Sequence, residues 1–137
     1  MTEFRKVTDS FSVAPQIAIG DLARAAEAGF TLVINNRPDG EAPDQPTGAE
    51  VEAAAHAAGI AYAHIPVRGS PTSEQVAAER AVLAAAKGPV LAFCRSGTRS
   101  ITTWSLGEAA AGARSRKELL ELGAAAGYDL NTALASA

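Results

Sequence analysis

The chain has a single cysteine, Cys94, among its 137 residues, so no disulfide can close within it. No second thiol stands ready to resolve an oxidised or sulfur-loaded Cys94, and whatever that residue picks up must leave to another molecule. There are two histidines, His56 and His64, and neither lies in a cluster with Asp, Glu or Cys, which argues against a metal centre. No apolar run approaches the length of a membrane span, and the opening MTEFRKVTDS lacks the apolar stretch of a signal peptide. A soluble, cytoplasmic protein is expected. The charge carries no basic excess: the net value is −3 and the pI is near 5.3, which gives no general reason to expect nucleic acid or an anionic membrane as partner. No internal repeat and no long linker interrupt the chain.

What is present fits one globular domain spanning residues 1–137. Hydrophobic residues make up 47% and charged residues 20%, ordinary values for a folded protein. At this size a domain buries roughly 68–70% of the surface that its unfolded chain exposes, enough for one sizeable core.

Helix starts are written in the caps. Thr47-x-x-Glu50, Thr72-x-x-Gln75 and Ser115-x-x-Glu118 each fit a capping box, in which a hydroxyl and a side chain three residues on satisfy free amides of the first turn. Gly59, Gly88-Pro89 and Gly127 mark the corresponding stops. A further helix is expected from about Gly20 to Ala28, ending at Gly29. Between these lie four short apolar segments, Phe11 to Ala14, Thr31 to Asn35, Ile60 to Pro66 and Val90 to Phe93, which read as strands. Strands alternating with helices predict an α/β fold with a mainly parallel central sheet flanked by helices. Ligands bind beyond the carboxyl ends of such strands. That singles out three loops: 36–46, 67–71 and 94–99.

The third loop, Cys94-Arg95-Ser96-Gly97-Thr98-Arg99, is the most informative. It runs from a strand end back to a helix expected to start near Ser100, so its backbone N–H groups curl inward and the helix dipole adds positive potential. Both favour a negative charge at the centre, which predicts a thiol that ionises more readily than a free cysteine. Gly97 suits a bend that lets the backbone approach a ligand closely. Arg99 offers a two-pronged donor to an oxyanion, Ser100 can donate to the thiolate, and Arg95 directly follows the nucleophile. A plain core role for Cys94 would need neither Gly97 nor two arginines within five residues.

CRSGTRS resembles the active-site loop of rhodanese-type sulfurtransferases. QIAIGDLARAAEAGFTLVINNRPDGE and GIAYAHIPVRGSPT resemble the first half of dual-specificity protein phosphatases. NNRPDGE, HIPV and CRSGTRS in this order are similar to the bacterial phosphatase-like domain family known as DUF442 or beta-lactamase hydrolase-like. The resemblance implies a cysteine phosphatase-like fold and, since that domain also occurs fused to persulfide dioxygenases, such an enzyme as a partner.

Two departures bear on the reaction. Phosphatases of this class carry His-Cys, then five residues, then Arg; here Phe93 precedes Cys94 and four residues separate it from Arg99. Their general acid, usually an aspartate on the loop after the HIPV strand, is missing from Val67-Arg68-Gly69-Ser70. Sulfane-sulfur transfer needs no such acid, and Arg68 would favour anionic donors. The expectation is therefore a sulfurtransferase that carries sulfur as a Cys94 persulfide from a small oxyanion or sulfane-sulfur donor to an external thiol, without cofactor. The alternatives are a cysteine phosphatase and an oxyanion-binding module without turnover. Asp39 is the residue that would serve the phosphatase as acid, against a plain role in a turn pinned by Pro38 and Gly40. Arg37 divides between clamping that turn and adding charge to the site. His64 is expected to be buried and hydrogen-bonded, His56 exposed, and Trp104 to pack with Ile101 in the core.

Overall fold

The computed structural model describes residues 2–135. In chain order the elements are β1 (Arg5–Thr8), β2 (Phe11–Ala14), α1 (Asp21–Glu27), β3 (Leu32–Asn35), α2 (Gly48–Ala57), β4 (Ala61–His64), α3 (Ser73–Ala85), β5 (Val90–Phe93), α4 (Thr98–Ala110) and α5 (Arg116–Ala125). The strands form one sheet in the order β1-β2-β5-β3-β4, parallel throughout except for β1, which pairs antiparallel with β2. Cys94 thus leaves the middle strand of the sheet, with a parallel neighbour on either side.

Side chains alternate across the sheet, as the two-residue period of a strand requires. Val13, Ile34 and Ala92 face one core shared with Ile101, Trp104 and Leu119, while Ala14, Val33, Leu91 and Phe93 face a second core shared with Leu22, Val51 and Ala55. Helices α1 and α2 therefore cover one face and α4 and α5 the other, where α3 packs against α4. Every residue of β2, β3 and β5 is buried, which explains why these segments read as nearly continuous apolar runs. None of the described helices is long and apolar enough to cross a membrane.

Thr47 and Thr72 form complete capping boxes with Glu50 and Gln75. Ser115 accepts from the Glu118 amide, but the Glu118 carboxylate pairs with Arg114 instead of reaching back. Trp104 and Ile101 lie in the core as expected, with Trp104 stacked on Phe11 at 5.1 Å between ring centroids.

Three sequence expectations need correction. Strand β1 was not anticipated; it is an edge strand, polar at all but Val7 and irregular between Lys6 and Thr8, so its alternation is weak. Helix α4 begins at Thr98, before Ser100, because Gly97 at φ +92° turns the chain into it. His64 is exposed, since β4 is the opposite edge of the sheet, although its Nε2 lies 2.9 Å from the Arg37 carbonyl oxygen. His56 is exposed as expected.

Candidate active site

The three loops singled out from sequence meet at the carboxyl end of the sheet. Cys94 is fully buried, and the Gly97 N–H donates to its Sγ at 3.1 Å. The loop can close this tightly because Gly97 takes a left-handed φ that side chains disfavour, and a Cβ there would fall 2.1 Å from the Tyr128 hydroxyl. The free amides that open α4 follow directly, so the positive end of its dipole lies beside the sulfur. Ser96 Oγ and Thr98 Oγ1 are 3.0 Å apart on the outer, exposed side of the loop. The Gln16 amide donates to the Arg95 carbonyl at 3.2 Å, and the Tyr128 hydroxyl donates to the Ser96 carbonyl at 2.9 Å. Ser100 Oγ is buried without a partner among the described residues, a hydroxyl held one step beyond Arg99 with its donor unspent.

Arg99 joins all three loops. Its Nη1 donates to the Val67 carbonyl and to Glu41 Oε2, both at 2.8 Å, and its Nη2 donates to Glu41 Oε1 at 2.8 Å. Of five guanidinium N–H groups this leaves two, on Nε and Nη2, which together form a fork for an incoming oxyanion. The Arg99 pKa is raised above its ordinary value, first by the hydrogen bonds to Glu41 and also by the Cys94 sulfur. Glu41 in turn accepts from Arg37 Nε at 2.9 Å, and its carboxyl is lowered to about 2, chiefly by Arg99 and then, against the cost of burial, by Arg37. Arg37 is itself buried, with Nη1 on Gln16 Oε1 at 3.0 Å. It clamps its own loop and shares Glu41 with Arg99.

Other residues fall outside this arrangement. Arg68 is exposed and its side chain makes no hydrogen bond or ion pair among the described residues; the loop contributes the Val67 carbonyl instead. Asp39 is exposed, and its Oδ1 accepts from the Gly48 amide at 2.7 Å, tying the loop to the start of α2. The Arg95 side chain is exposed, consistent with its pointing outward.

Sequence reasoning missed Glu41, Gln16 and Tyr128. Glu41 lies four residues after Arg37, a spacing that hinted at a local pair but not at Arg99, 58 residues on. A buried pair, Glu79 on α3 and Asn36 at the end of β3, was also missed. Asn36 Nδ2 donates to Glu79 Oε1 at 2.9 Å and to the Ile65 carbonyl at 3.0 Å. Burial pushes the Glu79 carboxyl up to about 7, and the Asn36 hydrogen bond opposes this. Asn36 Oδ1 and Glu79 Oε2 have no partner among the described residues, and both are acceptors; one proton on Glu79 converts one of them into a donor.

The sequence and the fold match those of known proteins. Residues 3–111 match the family described as beta-lactamase hydrolase-like protein, phosphatase-like domain. The chain belongs to that family. It is 39% identical over 126 residues to the beta-lactamase hydrolase-like protein of Agrobacterium fabrum, covering 91% of this chain. It spans only 29% of that relative's length. Among solved structures, a candidate phosphatase from Neisseria meningitidis superposes with a TM-score of 0.84 at 30% identity, covering 94% of this chain and 92% of that one. The fold extends to TpbA of Pseudomonas aeruginosa in complex with phosphotyrosine, with a TM-score of 0.68 at 15% identity, covering 98% of this chain and 86% of that one. The fold is that of the cysteine phosphatases, as expected from sequence.

Proposed function

We propose that this domain is a cysteine-dependent phosphatase for phosphate monoesters whose leaving groups depart without help from an acid. One observation carries the reading: Cys94 leaves the central strand with the Gly97 amide on its sulfur at 3.1 Å, in a chain of a phosphatase-like family. The Cys94 thiolate attacks phosphorus, the P–O bond to the leaving group breaks, and that group departs with the electron pair as an oxyanion. Loop amides, the start of α4 and the free fork of Arg99 hold the nonbridging oxygens, whose charge builds up as the reaction proceeds. Water then attacks the phosphoryl group on Cys94, the S–P bond breaks with its electron pair on sulfur, and phosphate leaves with the thiolate restored and the water's proton passed to solvent.

The site offers no ready proton donor among the residues around Arg99. Glu41 is ionised and held by two arginines, Asp39 is engaged with the Gly48 amide, and the Arg68 loop has no carboxylate. General acid catalysis is typically worth a factor of about 10²–10⁴, so activity should be confined to activated esters such as aryl phosphates. Steady-state assays on a series of aryl phosphates of graded leaving-group acidity test this.

The same lack of an acid, with the four-residue spacing from Cys94 to Arg99, favours sulfur transfer as a second reading. There the thiolate attacks the outer sulfur of a donor such as thiosulfate, the S–S bond breaks and sulfite leaves. The Cys94 persulfide then passes its outer sulfur to an external thiol. The family and the fold support phosphate chemistry more directly, so sulfur transfer, first in the expectation from sequence, becomes second here. A persulfide dioxygenase as partner belongs to this second reading.

A further inference from the structure

We infer that Tyr128 is a positioning residue for the nucleophile, holding the Ser96–Gly97 peptide so that its N–H stays on Cys94. The inference rests on Cys94 acting as a thiolate, and it goes beyond that reading by assigning control of the loop to a residue outside it.

One peptide plane links the hydroxyl to the sulfur. In a trans peptide the C=O and the following N–H point in opposite directions. The Ser96 carbonyl accepts from the Tyr128 hydroxyl at 2.9 Å, and the N–H across the same peptide bond, on Gly97, donates to Cys94 Sγ at 3.1 Å. The three groups form a continuous chain, hydroxyl to carbonyl, then amide to sulfur. Each bond in such a chain polarises the next, so the hydroxyl makes the Gly97 amide a stronger donor. The tyrosine also resists a peptide flip, which would swing a carbonyl toward the sulfur. Gly97 at φ +92° has little resistance of its own to such a flip, because glycine visits both halves of φ space.

Tyr128 is well placed to do this. It is buried beyond the end of α5, and the hydroxyl fits so closely over the loop that no side chain at position 97 could share the space. Burial holds its phenol protonated by raising its pKa, and the Cys94 sulfur acts in the same direction, while Arg5 opposes both. Arg5 comes from β1, with its guanidinium 5.2 Å from the ring centroid, and it is itself bonded to Glu3. The charged and titratable groups around the chain of bonds are therefore Arg99, Arg5, Glu3 and the phenol itself. The family match ends at residue 111, whereas Tyr128 follows it, so a segment beyond the matched core reaches back to the catalytic loop.

Tyr128→Phe removes the hydroxyl and keeps the ring in the core. Iodoacetamide alkylation of Cys94 against pH should then show its inflection shifted upward, with kcat for nitrophenyl phosphate reduced and KM little changed. A second form carries 3-fluorotyrosine at position 128 in a Tyr62→Phe background, giving a stronger donor of nearly the same shape; its inflection should move below that of Tyr62→Phe alone. Thermal melts accompany both. A lowered melting temperature with an unmoved inflection in both forms would make Tyr128 merely structural and overturn the inference. An inflection at the free-thiol position in the wild type would instead overturn the thiolate reading beneath it.

Discussion

Arg99 and Glu41 meet edge to edge, each guanidinium nitrogen 2.8 Å from its own carboxylate oxygen, across 58 residues of sequence. The contact fixes the last residue of the Cys94 loop against the loop that follows β3, and it leaves only one edge of the guanidinium for a substrate.

Arg99→Lys keeps the positive charge but cannot hold Glu41 by two nitrogens and offer a fork as well. Turnover of aryl phosphate should fall on the order of a hundredfold in kcat/KM. Arg95→Lys, at an exposed side chain, should stay within about twofold. Parallel steady-state assays of the two variants check the difference; equal losses would place Arg95 at the substrate.

Glu79 gives stability a pH dependence of definite sign. Its carboxyl titrates near 4.5 when unfolded and is raised to about 7 by burial, so between these values the folded state holds a proton that the unfolded state has lost. Stability should therefore fall as pH rises from about 4.5 to about 7, by at most about 3 kcal/mol, and level off above. Glu79→Gln carries a permanent donor in place of the proton and should flatten this slope. Urea unfolding of both proteins at several pH values measures it, and identical slopes would remove Glu79 as the source.

The lack of a general acid predicts steep dependence on the leaving group. Nitrophenyl phosphate should be turned over and phosphoserine peptides hardly at all. Arg68, exposed and outside the contacts around Arg99, takes no part in holding the ester, so Arg68→Ala should leave turnover of nitrophenyl phosphate within about twofold. Efficient hydrolysis of phosphoserine peptides by the wild type, abolished in Asp39→Asn, would instead make Asp39 the acid despite its bond to Gly48.

Sequence carried the fold where the signals were local. Thr47, Thr72, Gly29, Gly59 and Gly127 marked helix ends because a cap or a positive φ is decided within a few residues. The buried strands β2, β3 and β5 stood out as apolar runs, while β1, a mostly polar edge strand, did not. The loop 94–99 was legible for the same reason, since its glycine, arginines and cysteine are contiguous. Glu41 on Arg99, Tyr128 on Ser96 and Glu79 on Asn36 are contacts between distant segments, and no local pattern encodes them. Arg68 illustrates the converse: its position in the chain put it at the site, and only the fold turns it to solvent.

Intact-mass spectrometry of acid-quenched protein tests the central claim most directly. After mixing with nitrophenyl phosphate, the wild type should gain one phosphoryl group that maps to Cys94, and Cys94→Ser should lose turnover. Incubation with thiosulfate should leave the mass unchanged. A stable sulfur adduct on Cys94 from thiosulfate, with no phosphoryl adduct and no release of phosphate, would contradict phosphatase chemistry and make this loop a carrier of sulfur.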